Sequence, residues 1–394
     1  MTPQRSFLSI CGLGVCCFLS YNLVRMPVLA LFAQSLGATP AEIGLVVSVS
    51  TLTGVVLKLP VGALSDIYGR QGLMRFGVLA FGLPPFAYPW ITGLGALSAL
   101  RFVHGMATAV FAPSALAAVA DLHRERRGAA LGWYTASTQA GALLGPVLGG
   151  YLVYAAGFSV TFVTAGVIGS LGLLFFYTVR LTPPAPRVAG QGLGTVIAEM
   201  GRGARVVWRN RRVLATSATD GAKMIANGAL MAFLPIYGVA VGLNPGEVGL
   251  LFGVQGVTSL LSKPVMGRAS DKLGRRPLIL AGLFICAGTF VLMPWTGNFF
   301  LLLLLAAGFG FGEAVVTSST TALVADLSEL KTMGAAIGMQ GMINDIGHAA
   351  GPLLAGALIM ALSYSQAFAV IAGLQVVAAV LFGLVVRQQP AQAR

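Results

Sequence analysis

Eight charged residues stand inside stretches that are otherwise apolar: Arg25, Lys58, Arg101, Lys223 and Lys263, with Asp220, Glu313 and Asp345. A charge at the centre of a bilayer costs about 2.5–3.5 kcal/mol on insertion scales, so such residues normally line a water-filled cavity. Five cations against three anions leave 5 − 3 = +2, a balance that suits an anionic or zwitterionic ligand. Asp220 and Lys223, at i and i+3, can pair on one helix face, which weakens the excess without reversing it. A buried carboxyl can be neutralised by desolvation or kept ionised by a nearby cation, so Glu313 and Asp345, with Asp220 next, are the candidate proton carriers. Asn22, Gln139, Asn227, Gln255 and Asn344 are the neutral candidates that orient a ligand beside Arg25, Lys58, Arg101, Lys223 and Lys263. Enzyme chemistry is not expected. The sequence has no strand–glycine-loop–helix for phosphate, no His/Cys/carboxylate set with metal spacing and no nucleophile triad on loops. No cofactor or metal is expected, and Cys11, Cys16, Cys17 and Cys286 read as small packing residues.

These groups need elements that cross a membrane. The chain is 56% hydrophobic and 9% charged, with mean hydropathy +0.84, whereas a soluble domain carries about 25% charged residues. Apolar stretches of about 20 residues, enough to span a core of about 30 Å, recur near 6–33, 42–64, 72–91, 95–121, 129–155 and 158–180. They return near 213–241, 246–267, 277–296, 299–325, 332–362 and 366–387. The first is read as a retained span, not a cleaved leader, because its removal breaks the six-plus-six pattern. At a rise of about 1.5 Å per residue, Asn22, Lys223, Asn227, Glu313, Asn344 and Asp345 fall near the midplane. Arg101 and His104 lie toward the outer end of the fourth span. The hydroxyls of Thr317–Thr321 are expected mainly to bond back to their own helix.

The spans are duplicated. Gly62-Ala-Leu-Ser-Asp66-Ile-Tyr-Gly69-Arg70 returns as Gly267-Arg-Ala-Ser-Asp271-Lys-Leu-Gly274-Arg275, with 271 − 66 = 205. The same offset carries Pro40, Glu42 and Lys58 onto Pro245, Glu247 and Lys263, and Asp121 onto Asp326. Such duplications build secondary transporters that hold substrate between two halves. The expected domains are a six-helix bundle over 1–180, a linker over 181–212 and a second bundle over 213–394. Within the linker, hydrophobic residues from Leu193 to Leu214 interleave with Arg202, Arg205, Arg209, Arg211 and Arg212, the pattern of a basic amphipathic helix on the membrane face. Lys and Arg cluster on one set of loops, so both termini are expected on the cytoplasmic side. The +13 net charge then reflects topology and anionic headgroups, not nucleic acid.

Four motifs carry a resemblance. Gly62-x3-Asp66-x2-Gly69-Arg70-x4-Arg75 between spans two and three resembles the signature loop of the major facilitator superfamily, and Asp271 with Arg275 repeats it. Arg101-x3-Gly105 resembles the superfamily's span-four motif. Gly141-x3-Gly145-Pro146-x2-Gly149-Gly150 in span five, and Met26-Pro27-Val28-Leu29 in span one, resemble motifs of its proton-driven export branch. The resemblance implies an all-α membrane protein of twelve transmembrane helices in two pseudo-symmetric bundles. It also implies a monomer in a bacterial cytoplasmic membrane and proton-coupled, alternating-access efflux of a small molecule by antiport. The signature loop is then a conformational latch. The Gly-Pro run packs helices closely, with span eleven or span eight expected as partner. Exporters of cations in this branch commonly carry a carboxylate in span one, where this chain has Arg25, so an anionic or zwitterionic substrate is favoured. A lipid or lysolipid flippase, a multidrug exporter and proton-coupled uptake are the alternatives.

Overall fold

The computed structural model describes residues 3–68, 70–123, 125–179, 201, 208–329 and 332–386, with backbone only at 3, 58–60 and 62–68. Most of the expected linker helix, Gly69 and the side chains of Lys58 and Asp66 therefore lie outside what is described. At the described end of that linker Asn210 is extended and caps the following helix, so Arg211 to Leu214 belong to that helix. Among the described residues the secondary structure is helical throughout. The elements are α1 (Pro3–Arg25), α2 (Val28–Ser35), α3 (Pro40–Tyr68), α4 (Arg70–Gly82), α5 (Pro84–Ala87), α6 (Leu94–Leu122) and α7 (Arg127–Thr178). Then come α8 (Arg211–Ala240), α9 (Pro245–Leu273), α10 (Arg275–Leu292), α11 (Phe299–Asp326), α12 (Met333–Ala361) and α13 (Tyr364–Val385).

Nine helical runs among the described residues are long and apolar enough to cross a membrane. One of them, α7, has 52 residues, and at about 1.5 Å each it would run about 78 Å, far beyond one crossing. It divides at Gly157, whose φ of 79° and ψ of 178° belong to a region open essentially to glycine alone. Two further runs are α4 with α5, which is broken by Pro84 and Pro85, and α12, whose Gln340, Asn344, Asp345 and His348 interrupt its apolar surface. The sum is consistent with the twelve expected spans.

The chain divides into two compact units, Met1–Leu193 with Asn244–Leu250, and Gly194–Leu243 with Leu251–Arg394. Each is held by glycine seams, because in lipid close backbone approach replaces the hydrophobic drive between helices. In the first unit α1 lies along α7. A Cβ added at Gly141 would sit 2.6 Å from the Val15 carbonyl oxygen, and one at Gly145 2.6 Å from Asn22 Cβ. Gly149 meets Leu23, and Gly150 meets Pro245 of the short Asn244–Leu250 stretch. The main partner of the Gly-Pro run is thus span one, where the sequence reading expected span eleven or eight. The start of span eight, one of the two expected partners, packs on the same run beside it, with Gly249 against the Pro146 carbonyl and Pro245 against Gly150. In the second unit the equivalent seam joins α8 to α12, with Gly347 against Gly221, Gly351 against Ile225 and Gly228 against His348.

Further repeats appear at the helix ends. Glu42 accepts from Thr39 N at 2.8 Å and from its hydroxyl at 2.7 Å. Its equivalent Glu247 accepts from Asn244 N at 2.8 Å while Asn244 Oδ1 accepts from Glu247 N at 3.0 Å. Both are reciprocal capping boxes at the start of the second helix of a half. Trp90 and Trp295, also 205 apart, are 85% and 73% exposed on short 3-10 turns, where amphipathic rings anchor a span at the membrane interface.

Candidate functional site

The second unit builds its polar cluster on the α8–α12 seam. Asp220 and Lys223 share one face of α8 at i, i+3, and the Lys223 ammonium lies 2.7 Å from Asp220 Oδ1. Both side chains are fully buried. Gly221, between them, lets the α12 backbone approach at Gly347, which brings short amide side chains within reach. Asn344 Nδ2 donates to Asp220 Oδ2 at 2.7 Å and Gln340 Nε2 donates to the same oxygen at 3.1 Å. From α11, Thr317 Oγ1 accepts from Lys223 Nζ at 2.6 Å, and Thr320 Oγ1 accepts from Gln340 at 3.2 Å. The Glu313 carboxyl and the Cys286 thiol lie within electrostatic reach of Lys223. The pair that the i, i+3 spacing allowed therefore exists, inside a network of neutral donors.

The first unit holds a different cluster. Gly105 lets α3 come close to α6, where an added Cβ would lie 2.7 Å from Ser50 Cα. That approach accounts for the Arg101-x3-Gly105 spacing, since it delivers the Ser50 hydroxyl as acceptor to the Arg101 guanidinium. Arg101 is fully buried. It also donates to Tyr88 Oη at 3.3 Å, approaches His104 Nδ1 at 3.4 Å and stands 5.6 Å from the Tyr21 ring centre. No carboxylate is among these partners of Arg101. Arg25 lies 5.8 Å from the same Tyr21 ring and donates to Thr51 Oγ1 at 3.4 Å.

The other expected residues spread out. Asn22 is buried but spends its amide on the Phe18 carbonyl at 2.8 Å and sits in the α1–α7 seam. Gln139 is exposed, Asn227 is half-buried one turn beyond Lys223, and Asp345 and Lys263 are half-buried. Gln255 is buried, with Oε1 unpaired among the described residues. Gln340, Tyr21, Ser50 and Tyr88 were missed by sequence reasoning. Gln340 stands one turn before Asn344 on the same face, which is the signal that could have found it. Thr317, expected to bond back to its own helix, instead serves Lys223.

The arginines of the two signature loops each pair with the aspartate at the end of a helix of the same unit. Arg70, opening α4, pairs with Asp121 at the end of α6 and donates to the Ala117 carbonyl at 2.6 Å. Its copy Arg275 lies 2.5 Å from Asp271 and 3.2 Å from Asp326 at the end of α11. The next residues behave alike, Gln71 donating to Val179 O at 3.2 Å and Arg276 to Gly383 O at 2.7 Å. Gly274 turns the second loop at φ 92°, a conformation that explains the glycine there. Arg75 is exposed.

The family model of the Major Facilitator Superfamily matches residues 10–238 and 221–394. The chain belongs to this superfamily. It is therefore an integral membrane transporter, and not an enzyme. The multidrug resistance protein MdtG of Salmonella schwarzengrund is 27% identical over 382 residues, covering 93% of this chain and 92% of that protein. An MFS-type transporter of Methanocaldococcus jannaschii, described as uncharacterized, is 24% identical over 320 residues, covering 79% and 81%. Among solved structures, the nucleoside transporter NupG superposes with a TM-score of 0.80 at 15% identity, over 98% of this chain and 100% of that one. A bacterial homologue of the human lysosomal transporter Spinster, inward-facing and unoccupied, gives 0.79 at 14% identity, over 97% and 95%. These two likenesses speak to the fold.

Proposed function

We propose that this superfamily member exports an anionic or zwitterionic small molecule across a bacterial cytoplasmic membrane by alternating access, coupled to protons. One observation carries the charge preference: the fully buried Arg101 of the first unit is held by hydroxyls and an imidazole, while Lys223 in the second is matched by Asp220. A buried cation without a counter-charge is costly unless a ligand supplies one. Arg101, Arg25 and Lys223 then bind substrate, helped by Asn344 and the duplicated lysines Lys58 and Lys263. Asp220 is the leading proton carrier on burial, ahead of the half-buried Glu313 and Asp345. Asp66, Arg70 and their copies bias the access equilibrium. The export direction is supported by the name of the MdtG relative, and the same relative supports a multidrug exporter as the second reading.

The test is flux from proteoliposomes loaded in turn with anionic metabolites, a cationic dye and a fluorescent lysolipid. Anion flux that is lost in both Arg25→Gln and Lys223→Gln, with folded protein retained, supports the proposal. Dye flux without anion flux favours the multidrug reading, and lysolipid movement favours a flippase.

A further inference from the structure

Asp220 presents its two oxygens to different partners. Oδ1 faces the Lys223 ammonium at 2.7 Å, while Oδ2 accepts from Asn344 at 2.7 Å and from Gln340 at 3.1 Å. Both charges are fully buried, so the pair survives in place only as a neutral unit. Removing one charge of such a pair leaves the other uncompensated in a poor solvent, which is strongly unfavourable unless a proton restores neutrality. The remaining ionisable groups near the pair are few. Glu313 on α11 and Cys286 on α10 lie within electrostatic reach, and Asp345 and His348 are the titratable residues that follow Asn344 on α12.

We infer that an anionic substrate competes with Asp220 for Lys223, and that Asp220 Oδ1 then takes up a proton from the side on which the substrate binds. This rests on the anion reading above and gives the coupling its sign. The bookkeeping closes without any other reactant. Before binding the site holds one ammonium and one carboxylate. After binding it holds one ammonium, one substrate anion and one neutral carboxylic acid, so the net charge is zero in both states. The proton enters at the oxygen that Lys223 vacates, and Oδ2 keeps its two amide donors. The carboxyl therefore need not turn. Gln340 and Asn344 are positioning residues that fix which oxygen receives the proton. Anion and proton consequently move in the same direction, in place of the antiport implied by the resemblance. Export then runs down the anion's own gradient and carries protons out with it, while an inward proton gradient drives uptake through the same site. A cationic ligand that took Asp220 from Lys223 would drive a proton off the lysine and reverse the sign.

Lys223→Met imitates the anion-bound state without any substrate. Infrared spectra of the purified variant are expected to show one protonated carboxyl more than the parent protein. That band is expected to vanish in Lys223→Met with Asp220→Asn and to persist in Lys223→Met with Glu313→Gln. Lys223→Gln, closer in polarity, provides the same readout if the methionine variant folds poorly. An ionised Asp220 in both lysine variants, or a band that belongs to Glu313, overturns the inference. A second measurement uses proteoliposomes that enclose a pH-sensitive dye and an outward gradient of benzenesulfonate, which carries no proton of its own. The lumen is expected to turn alkaline as the anion leaves. Acidification, or anion efflux with no pH change, overturns the inference while the anion reading stands. Movement of tetraphenylphosphonium in place of benzenesulfonate overturns the anion reading, and the infrared result alone then decides the ion-pair exchange.

Discussion

Replacing Gly145 by alanine tests whether the α1–α7 seam holds the first unit together. The added Cβ would lie 2.6 Å from Asn22 Cβ and 2.8 Å from Asn22 C, where ordinary contact begins at 3.4 Å. The helices must therefore separate by 3.4 − 2.6 = 0.8 Å, and the obstruction is backbone on a buried face that cannot rotate away. Overpacking of this kind costs about 1–3 kcal/mol. Gly132 provides the control on the same helix, since its added Cβ meets nothing within 4 Å. Alanine there should stabilise by about 0.5–1 kcal/mol through helix propensity. The native thiols supply the assay. Cys17 on α1 is fully buried in the core formed with Phe81, Phe111 and Tyr134, and Cys286 is fully buried in the other unit. With the half-buried Cys11 and Cys16 changed to serine, a thiol-reactive dye reports the temperature at which each unit opens. Gly145→Ala should lower the Cys17 midpoint by about 2–12 °C at about 2–4 °C per kcal/mol, whereas Gly132→Ala should raise it. Coincident Cys17 midpoints for the two variants would refute the seam argument.

Arg101→Lys keeps the charge but loses the planar fork that serves Ser50 and Tyr88 together, so transport should fall at least about tenfold, the effect of about 1.4 kcal/mol, with the protein still folded. Undiminished flux would show that charge alone suffices. Removing either capping box, by Glu42→Ala or Glu247→Ala, should cost about 1 kcal/mol in thermal unfolding with little change in transport, since each box satisfies backbone donors at a helix start. An unchanged melting temperature in both variants would contradict that role. Asp66→Asn should slow transport more than Asp271→Asn, because the second loop has Leu280 where the first has Arg75. A bias of about 1.4 kcal/mol changes a state ratio about tenfold, visible in labelling of cysteines placed near the basic loops. Equal labelling in Asp66→Asn and the parent, with transport intact, would reduce the loop to a plain turn.

The duplication made much of the fold legible. An offset of 205 places Arg70 and Arg275, Asp121 and Asp326, Glu42 and Glu247, and Trp90 and Trp295 in equivalent roles, because helix starts, loop turns and interface anchors depend on local chemistry that survives duplication. The charged clusters were harder to read. Asp220 and Lys223 map onto Val15 and Phe18, while Arg101 and His104 map onto Ala306 and Phe309, so the repeat says nothing about them. The Asp220–Lys223 pair could be read from helix periodicity alone. That Asn344 and Gln340 donate to Asp220 could not, because they come from α12 across a seam whose closeness is set by Gly221 and Gly347. Arg101 with Ser50 is the same case. A side chain's reach across two helices depends on backbone separation, which the order of residues along one helix does not encode. Span one as the main partner of the Gly141–Gly150 run was missed for the same reason, although the expected span eight does reach it through Pro245 and Gly249.

Gly157 has a consequence for how the chain enters the membrane. Only this residue departs from helical geometry between Arg127 and Thr178, and no charged residue lies between those two positions. A translocation machinery that paused after the fifth span would meet no polar segment to leave on the far side. The two spans should therefore insert as one hairpin, with the handover occurring at a single peptide unit. Any residue with a Cβ at that turn would burden biosynthesis before it burdened transport, and its first symptom should be a lower yield of inserted protein.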